Sequence, residues 1–252
     1  MKISKEHLYL WCHNAGVYNK IPQLGDQSDY TPVEAAAYMG IENIIMVVYG
    51  GKPVPPFAPL QEKFQHFKKV LWSLIGDSGS LRESQTGDLP EILALQQQYP
   101  NLCGGMMDDF FNPGRQFDLD AISSNMHAAG LPLWVVLYTH QLDNPEVWTA
   151  LEKCDVINLW TWNSSDLRNL EKNLTLVEAR MPHKKIALGC YLWNFGGEPA
   201  LGVEEMAYQC NFAASMLKQG RIQDVVILGS PLIGMKLETI PWTRNWIREN
   251  FD

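Results

Sequence analysis

The stretch LWVVLYTHQLDNPEVWTALEKCDVINLWTW, residues Leu133–Trp162, has a short apolar run at each end and a helix-start signal between them. The runs Leu133–Tyr138 and Val156–Trp162 are continuous and rich in β-branched and aromatic residues. Runs of this kind are typical of strands buried on both faces of a parallel sheet. Asn144-Pro145-Glu146 places a capping residue, a first-turn proline and an acid in the order that begins a helix. The stretch therefore predicts one strand–helix–strand unit.

The same pattern recurs along the whole chain of 252 residues. Eight apolar runs have midpoints about 31 residues apart, the length of one βα unit. Helix signals lie between them, such as the capping pattern Thr31-Pro32-Val33-Glu34 with Gly40 at the helix end, and the last helix is predicted at Thr243–Asn250. We predict an α/β fold with residues 1–252 forming a single (βα)8 TIM barrel domain, and the alternative is an open doubly wound sheet. The predicted strands are Leu8–His13, Asn43–Tyr49, Val70–Ile75, Leu102–Asp109, Leu133–Tyr138, Val156–Trp162, Ile186–Trp193 and Val225–Gly229.

The composition narrows the class of partner. Hydrophobic residues make up 46% of the chain, enough for a large core, and the formal net charge is −8. Lysines and arginines are scattered, with Lys68–Lys69 and Lys184–Lys185 as the densest groups, so phosphate backbones find no basic patch and nucleic acid is not an expected partner. The five cysteines form no CxxC pair, which argues against a disulfide framework and a zinc site.

The chain shows no targeting or membrane signal. Residues Met1–His7 are charged and lead directly into a predicted strand, unlike a signal peptide, and no apolar run reaches about 18 residues. We expect a cytoplasmic protein, or a periplasmic or secreted one if a leader has been removed, with no membrane partner and no cofactor. The oligomeric state stays open.

The ends of the predicted strands carry the residues with chemistry. Active sites of such barrels lie at the carboxyl ends of the strands, and here those ends are rich in Tyr, Trp, His, Asn and Asp. An aromatic ring can lie against the apolar C–H face of a sugar, while Asn, Asp and His pair with its hydroxyls. The sequence thus predicts a small-molecule or oligosaccharide site formed by His13, Asn14, Tyr49, Tyr138, His140, Trp160, Trp162, Asn163, Tyr191, Trp193 and Asn194.

Two adjacent acids, Asp108 and Asp109, end the fourth run after Met106-Met107. Because neighbouring strand residues point to opposite faces, one acid is expected at the cavity mouth and the other toward the helix layer. Burial raises the pKa of a carboxyl group, as a general acid near neutral pH requires. We predict Asp109 or Asp108 as the general acid. Glycoside hydrolysis uses a second carboxylate, for which the candidates are Glu198 and Asp77.

These residues carry a resemblance to a known superfamily. Gly104–Phe111 on the fourth strand, Trp160 and Trp162 on the sixth and Tyr191-Leu192-Trp193 on the seventh are similar to the (βα)8-barrel glycoside hydrolases. The resemblance covers fold and rim chemistry over most of the chain, without the motif of a particular family. It implies a carbohydrate-active enzyme, a glycosidase, working at the carboxyl end of the barrel.

Other barrel functions remain as alternatives. A metal-dependent enzyme could use His13, Asp109 and His140, although the first strand lacks a His-x-His and ligands are sparse. A sugar-phosphate isomerase or lyase could bind phosphate at Gly196-Gly197 or Gly229-Ser230, after the last two strands.

Two further alternatives differ in their chemistry. A Schiff-base enzyme needs a desolvated lysine at a strand end, and the lysines here lie at the opposite ends. A non-catalytic carbohydrate-binding barrel would keep the aromatic rim and lack a working acid pair.

Overall fold

The computed structural model describes residues 2–80, 84–197 and 200–252. Within them, eight parallel strands close into a barrel in chain order, and Leu8 to Trp11 pair with Val225 to Leu228 to complete the ring. The predicted (βα)8 barrel is confirmed, and the open sheet is excluded. The strands are β1 (Leu8–Cys12), β2 (Asn43–Met46), β3 (Lys69–Ser73), β4 (Leu102–Met107), β5 (Leu133–Tyr138), β6 (Val156–Trp160), β7 (Lys185–Tyr191) and β8 (Asp224–Leu228).

The helices of the described residues cover the outside of this barrel and connect its strands. The four-residue α2 is the shortest of them, and the connection from β2 to β3 also contains a 3-10 turn at Glu62–Phe64. The bounds are α1 (Pro32–Met39), α2 (Ala58–Gln61), α3 (Leu89–Gln96), α4 (Leu119–Ala128), α5 (Pro145–Leu151), α6 (Leu170–Arg180), α7 (Val203–Lys218) and α8 (Thr239–Asn250).

The start of α1 agrees with its predicted capping pattern, whereas α8 begins earlier than predicted. At α1, Thr31 Oγ1 accepts a hydrogen bond from the Glu34 amide, and the Glu34 carboxylate accepts one from the Thr31 amide at 2.9 Å. This reciprocal pair satisfies amides that have no partner inside the helix. Helix α8 begins at Thr239, earlier than the predicted Thr243, and its Pro241 lies in the first turn, where a missing amide hydrogen costs no helical hydrogen bond.

Several strands end before their apolar runs do. Strand β4 ends at Met107, β6 at Trp160 and β7 at Tyr191, so Asp109, Trp162 and Trp193 lie on the loops that follow and not on regular strand. Side chains there are freed from strict alternation, so that neighbouring residues can face the same cavity.

The interior of the barrel is filled by aromatic side chains that form the floor under its carboxyl end. Trp160 on β6 is 1% exposed and lies 5.6 Å, centroid to centroid, from Trp11 on β1. Gly189 on β7 leaves the room for this indole, because an added Cβ would lie 2.0 Å from Trp160 Cδ2. The glycine therefore allows one large ring to lie across the barrel.

The structure also bears on the membrane-spanning helices and the cysteines considered from the sequence. None of the helices in the described ranges has the length and apolar character needed to cross a membrane. The five cysteines are free thiols, and all but the half-buried Cys103 are buried.

Candidate functional site

A cavity of about 240 Å³ opens at the carboxyl end of the barrel. One part of its wall comes from the loops after β3 and β4 and is acidic. The rest comes from β1, β2 and β5 to β8 with their loops and is largely aromatic. The lining residues are Trp11, His13, Tyr18, Tyr49, Asp77, Ser78, Asp108, Asp109, Tyr138, Trp160, Trp162, Tyr191, Phe195 and Leu228.

Asp108 is the most enclosed acid of the cavity. It directly follows β4 and is 6% exposed. Burial, reinforced by the negative charges of Asp109 and Asp77, raises its pKa well above the usual carboxyl range, and the charge of Arg115 opposes this only in part. Such surroundings favour the protonated form of a carboxyl group, which is the form that a proton donor requires.

Asp109 also faces the cavity, but it is held differently. Its φ of +51° lies in the left-handed region, which breaks the alternation of the strand and brings two consecutive acids to one cavity. Its Oδ2 accepts hydrogen bonds from the amide and the hydroxyl of Ser78, at 2.9 and 2.8 Å, and its Oδ1 accepts one from the Tyr138 hydroxyl at 2.8 Å. Strand periodicity predicted that only one of the two acids would face the mouth.

Asp77 and Arg115 fix the acidic loops. Asp77 Oδ1 accepts hydrogen bonds from the Gly50 amide at 3.0 Å and from the Ser80 hydroxyl. The Arg115 guanidinium donates to the Asp77 carbonyl at 2.6 Å, the Gly76 carbonyl at 2.8 Å and the Asp108 carbonyl at 3.3 Å. Arg115 thus joins the loop after β3 to the loop after β4, and these two linked loops carry Asp77, Asp108 and Asp109.

The aromatic wall is a continuous series of ring contacts. Tyr191 on β7 lies 4.6 Å from Trp160 and 6.0 Å from Trp162, nearly perpendicular to the latter. Phe195 then joins Tyr191 to Tyr18, at 5.4 and 5.6 Å. Mutual packing holds these rings in place before any ligand arrives, which lowers the entropic cost of binding.

His13 lines the cavity as a neutral group. Its Nδ1–H donates to the Val47 carbonyl at 2.9 Å, and its Nε2 accepts from the Trp11 indole at 3.2 Å, so both ring nitrogens are occupied. Burial lowers its pKa to about 4, more than the Val47 hydrogen bond and nearby carboxylates raise it. The imidazole therefore adds an apolar edge to the cavity and no positive charge.

The remaining predicted residues lie beside the cavity, not in its lining. Asn14 lines a separate surface pocket next to α1, and Trp193 and Asn194 line a small space behind β6 and β7. Asn194 Oδ1 accepts from the Ser164 amide at 3.2 Å. His140 is exposed and stacks on Tyr138, with ring centroids 5.3 Å apart.

Of the two other predicted residues, Asn163 follows β6 and lies against the loop after β7, to which Glu198 belongs by sequence. Asn163 packs against this loop, since a Cβ at Gly196 would lie 1.9 Å from its Oδ1. Glu198 lies outside the described residues. Asn163 does not line the cavity.

Several lining residues, and Arg115 behind the acidic loops, were not selected from the sequence. Trp11 shares a face of β1 with His13, and the period of two along a strand was the signal that could have found it. Tyr18 lies in a 3-10 turn after β1 and is 3% exposed. Ser78 and Arg115 act through hydrogen bonds between loops, for which sequence spacing offers no signal.

Solved structures share the fold. The active domain 2 of a thermostable chitinase from Pyrococcus furiosus, in complex with chito-oligosaccharides, aligns with a TM-score of 0.64 and 12% identity over 98% of this chain and 96% of that chain. A xylanase–α-amylase inhibitor protein in complex with trehalose aligns at 0.55 and 14% identity, over 94% and 97% of the two chains. An FMN-binding β-glucuronidase from Facaelibacterium prausnitzii aligns at 0.56 and 12%, over 88% of this chain and 37% of that one.

The chain has a TIM barrel like those of glycoside hydrolases. This confirms the resemblance predicted from the sequence, as a likeness of fold. A comparison with protein-family models finds no match, and a comparison with curated protein sequences finds none either. Because one barrel fold supports many chemistries, the function depends on the residues of the cavity and not on the fold alone.

Proposed function

We propose that this chain is a carbohydrate-active enzyme that hydrolyses glycosidic bonds, with Asp108 as the general acid and Asp109 as its carboxylate partner. The observation that carries the proposal is the contrast between these neighbours. Asp108 is buried and its pKa is raised, whereas Asp109 accepts three hydrogen bonds with both of its oxygens. Two carboxyl groups in one cavity with divergent surroundings are the usual basis of an acid and base assignment.

The chemistry follows from these two surroundings. Protonated Asp108 gives its proton to the glycosidic oxygen as the bond from that oxygen to the sugar breaks. The carboxylate of Asp109 stabilises the positive charge that develops on the sugar ring. Water then attacks that ring, supplies the hydroxyl group of the product and returns its remaining proton to the Asp108 carboxylate. The Ser78 and Tyr138 hydrogen bonds hold this carboxylate in position throughout.

The shape of the cavity supports a sugar. Its volume of about 240 Å³ is below the range of about 300–1,000 Å³ common for drug-sized ligands, which favours a single ring in the deepest part. Trp162, Tyr191 and Phe195 offer faces and edges for its C–H groups. Longer chains of sugars would extend outward from the open mouth.

The rival enzyme classes receive less support from the lining. In the described part of the chain no Lys or Arg side chain lines the cavity, so a phosphate in it would lie against carboxyl groups and against no cation of the lining. Within the same residues, no group of three or more His, Cys, Asp and Glu side chains is arranged to hold a metal ion.

A non-catalytic carbohydrate-binding barrel is the second candidate. The observation in its favour is that Asp77 and Asp109 both hold loop backbone, through the amides of Gly50 and Ser78. On this alternative, sugars would bind without turnover and the acids would serve the architecture alone.

The test is hydrolysis of a panel of aryl glycosides by the wild type and by Asp108→Asn. We expect the variant to lose about 10²- to 10⁴-fold in kcat/KM on substrates with poor leaving groups. The loss should be much smaller on dinitrophenyl glycosides, because the dinitrophenolate leaving group departs without needing a proton. Asp143→Asn, an exposed acid outside the cavity, is the matched control and should retain full activity. Binding of sugars without turnover by the wild type would select the non-catalytic alternative.

A further inference from the structure

The charge of the cavity is one-sided. Asp77, Asp108 and Asp109 line it, and among the described residues no lysine or arginine does. His13 brings no positive charge, since its two ring nitrogens are occupied by the Val47 carbonyl and the Trp11 indole. Hydrolysis of a neutral sugar uses two carboxyl groups, here Asp108 and Asp109. Asp77 is therefore a further negative charge that the reaction itself does not require.

The opposite wall is suited to positive charge as well. Tyr18, Tyr49, Trp162, Tyr191 and Phe195 all line the cavity. The faces of aromatic rings attract cations, and the attraction grows in a desolvated pocket, which is how aromatic cages bind quaternary ammonium groups. A cation placed here would have rings on one side and carboxylates on the other.

The hydrogen-bonding capacity of the site points the same way. Asp109 Oδ2 is filled by the two Ser78 donors, but Oδ1 accepts one hydrogen bond within the described residues, from Tyr138. A carboxylate oxygen has room for two. The buried indole N–H of Trp160, another lining residue, also has no partner within those residues, so a ligand with both a donor and an acceptor would complete the site.

We infer that the sugar taken by this cavity is an amino sugar with a free, protonated amine, which lies between the Asp109 carboxylate and the aromatic wall. The inference rests on the proposed function and narrows its substrate class. An N-acetylated sugar would lose the charge, and a uronic acid or a sugar phosphate would be repelled by the carboxyl groups.

The experiment is a binding series by calorimetry or ligand-observed NMR at slightly acidic pH, where the amines are protonated. Glucosamine, galactosamine and mannosamine are each compared with the N-acetyl and the 2-hydroxyl sugar of the same ring configuration. We expect the amine to bind about tenfold more tightly, or better, in at least one configuration. Asp109→Asn should remove this preference, and Asp143→Asn should keep it.

The outcomes separate the inference from the proposed function. Equal or tighter binding of the neutral sugars overturns the inference and leaves a glycosidase of neutral substrates. If no amino sugar of the series binds, the inference is overturned whether or not tetramethylammonium binds in the cavity. The hydrolysis panel decides the proposed function separately.

Discussion

Asp108 is expected to destabilise the fold that holds it, and the size of that effect can be measured as a function of pH. Burial and the charges of Asp109 and Asp77 raise its pKa in the folded protein above the ordinary value of 3.8. Above that value the unfolded chain releases this proton while the folded protein retains it. Since the unfolded state then binds fewer protons, the free energy of unfolding falls as the pH rises.

The magnitude follows from the linkage relation. Each pH unit between the unfolded and the folded pKa costs about 1.4 kcal/mol. Asp108→Asn keeps the shape of the protonated acid and cannot ionise. We expect the variant and the wild type to have similar stability near the unfolded pKa, and the variant to be increasingly the more stable protein as the pH rises toward neutral.

The assay is urea denaturation at a series of pH values, with the free energy of unfolding taken by linear extrapolation. Titrating groups remote from the cavity, such as Asp224 with its pKa raised by burial to about 6, are present in both proteins and cancel in the difference. Asp143→Asn should show the wild-type dependence. If the difference between Asp108→Asn and the wild type does not change with pH, Asp108 is not held protonated and cannot be the general acid.

Three further predictions concern the floor and the walls of the cavity. Gly189→Ala places a Cβ 2.0 Å from Trp160 and should cost about 1–3 kcal/mol of stability, with a shift in tryptophan fluorescence; unchanged stability and spectrum would contradict the packing. Tyr138→Phe removes one of the hydrogen bonds to Asp109 and should reduce kcat by about tenfold or more, with a stability loss too small to explain it. His13, with its pKa near 4, should show no imidazole titration by NMR from pH 5 to 8, whereas an exposed histidine titrates in that range.

The fold was predictable because its signals are local and repeated. Runs such as Leu133–Tyr138 repeat eight times at one spacing, and closed parallel sheets with one helix per strand leave few other arrangements. The exact strand ends were harder to predict from the sequence. The run Val156–Trp162 continues past the last paired residue, Trp160, because apolar composition reports burial and not backbone hydrogen bonding.

The sequence predicted the kinds of residues that line the cavity, but only some of the individual residues. Tyr49, Tyr138 and Trp162 line it as the strand-end rule predicts. Asn194 lies nearby and accepts a backbone hydrogen bond instead, since a loop turns its side chains in directions that no period sets. The left-handed backbone at Asp109 is likewise set by its contacts with Ser78 and Tyr138, which are distant in sequence.

The bridge made by Arg115 between the loops after β3 and β4 divides the mouth of the barrel into two parts that can evolve separately. The carboxyl groups share one hydrogen-bonded frame, so an insertion in either of these loops would disturb both. The rings come from strands and loops outside that frame. Substitutions of rings other than Tyr138 can therefore change ligand preference while the support of the carboxyl groups stays in place.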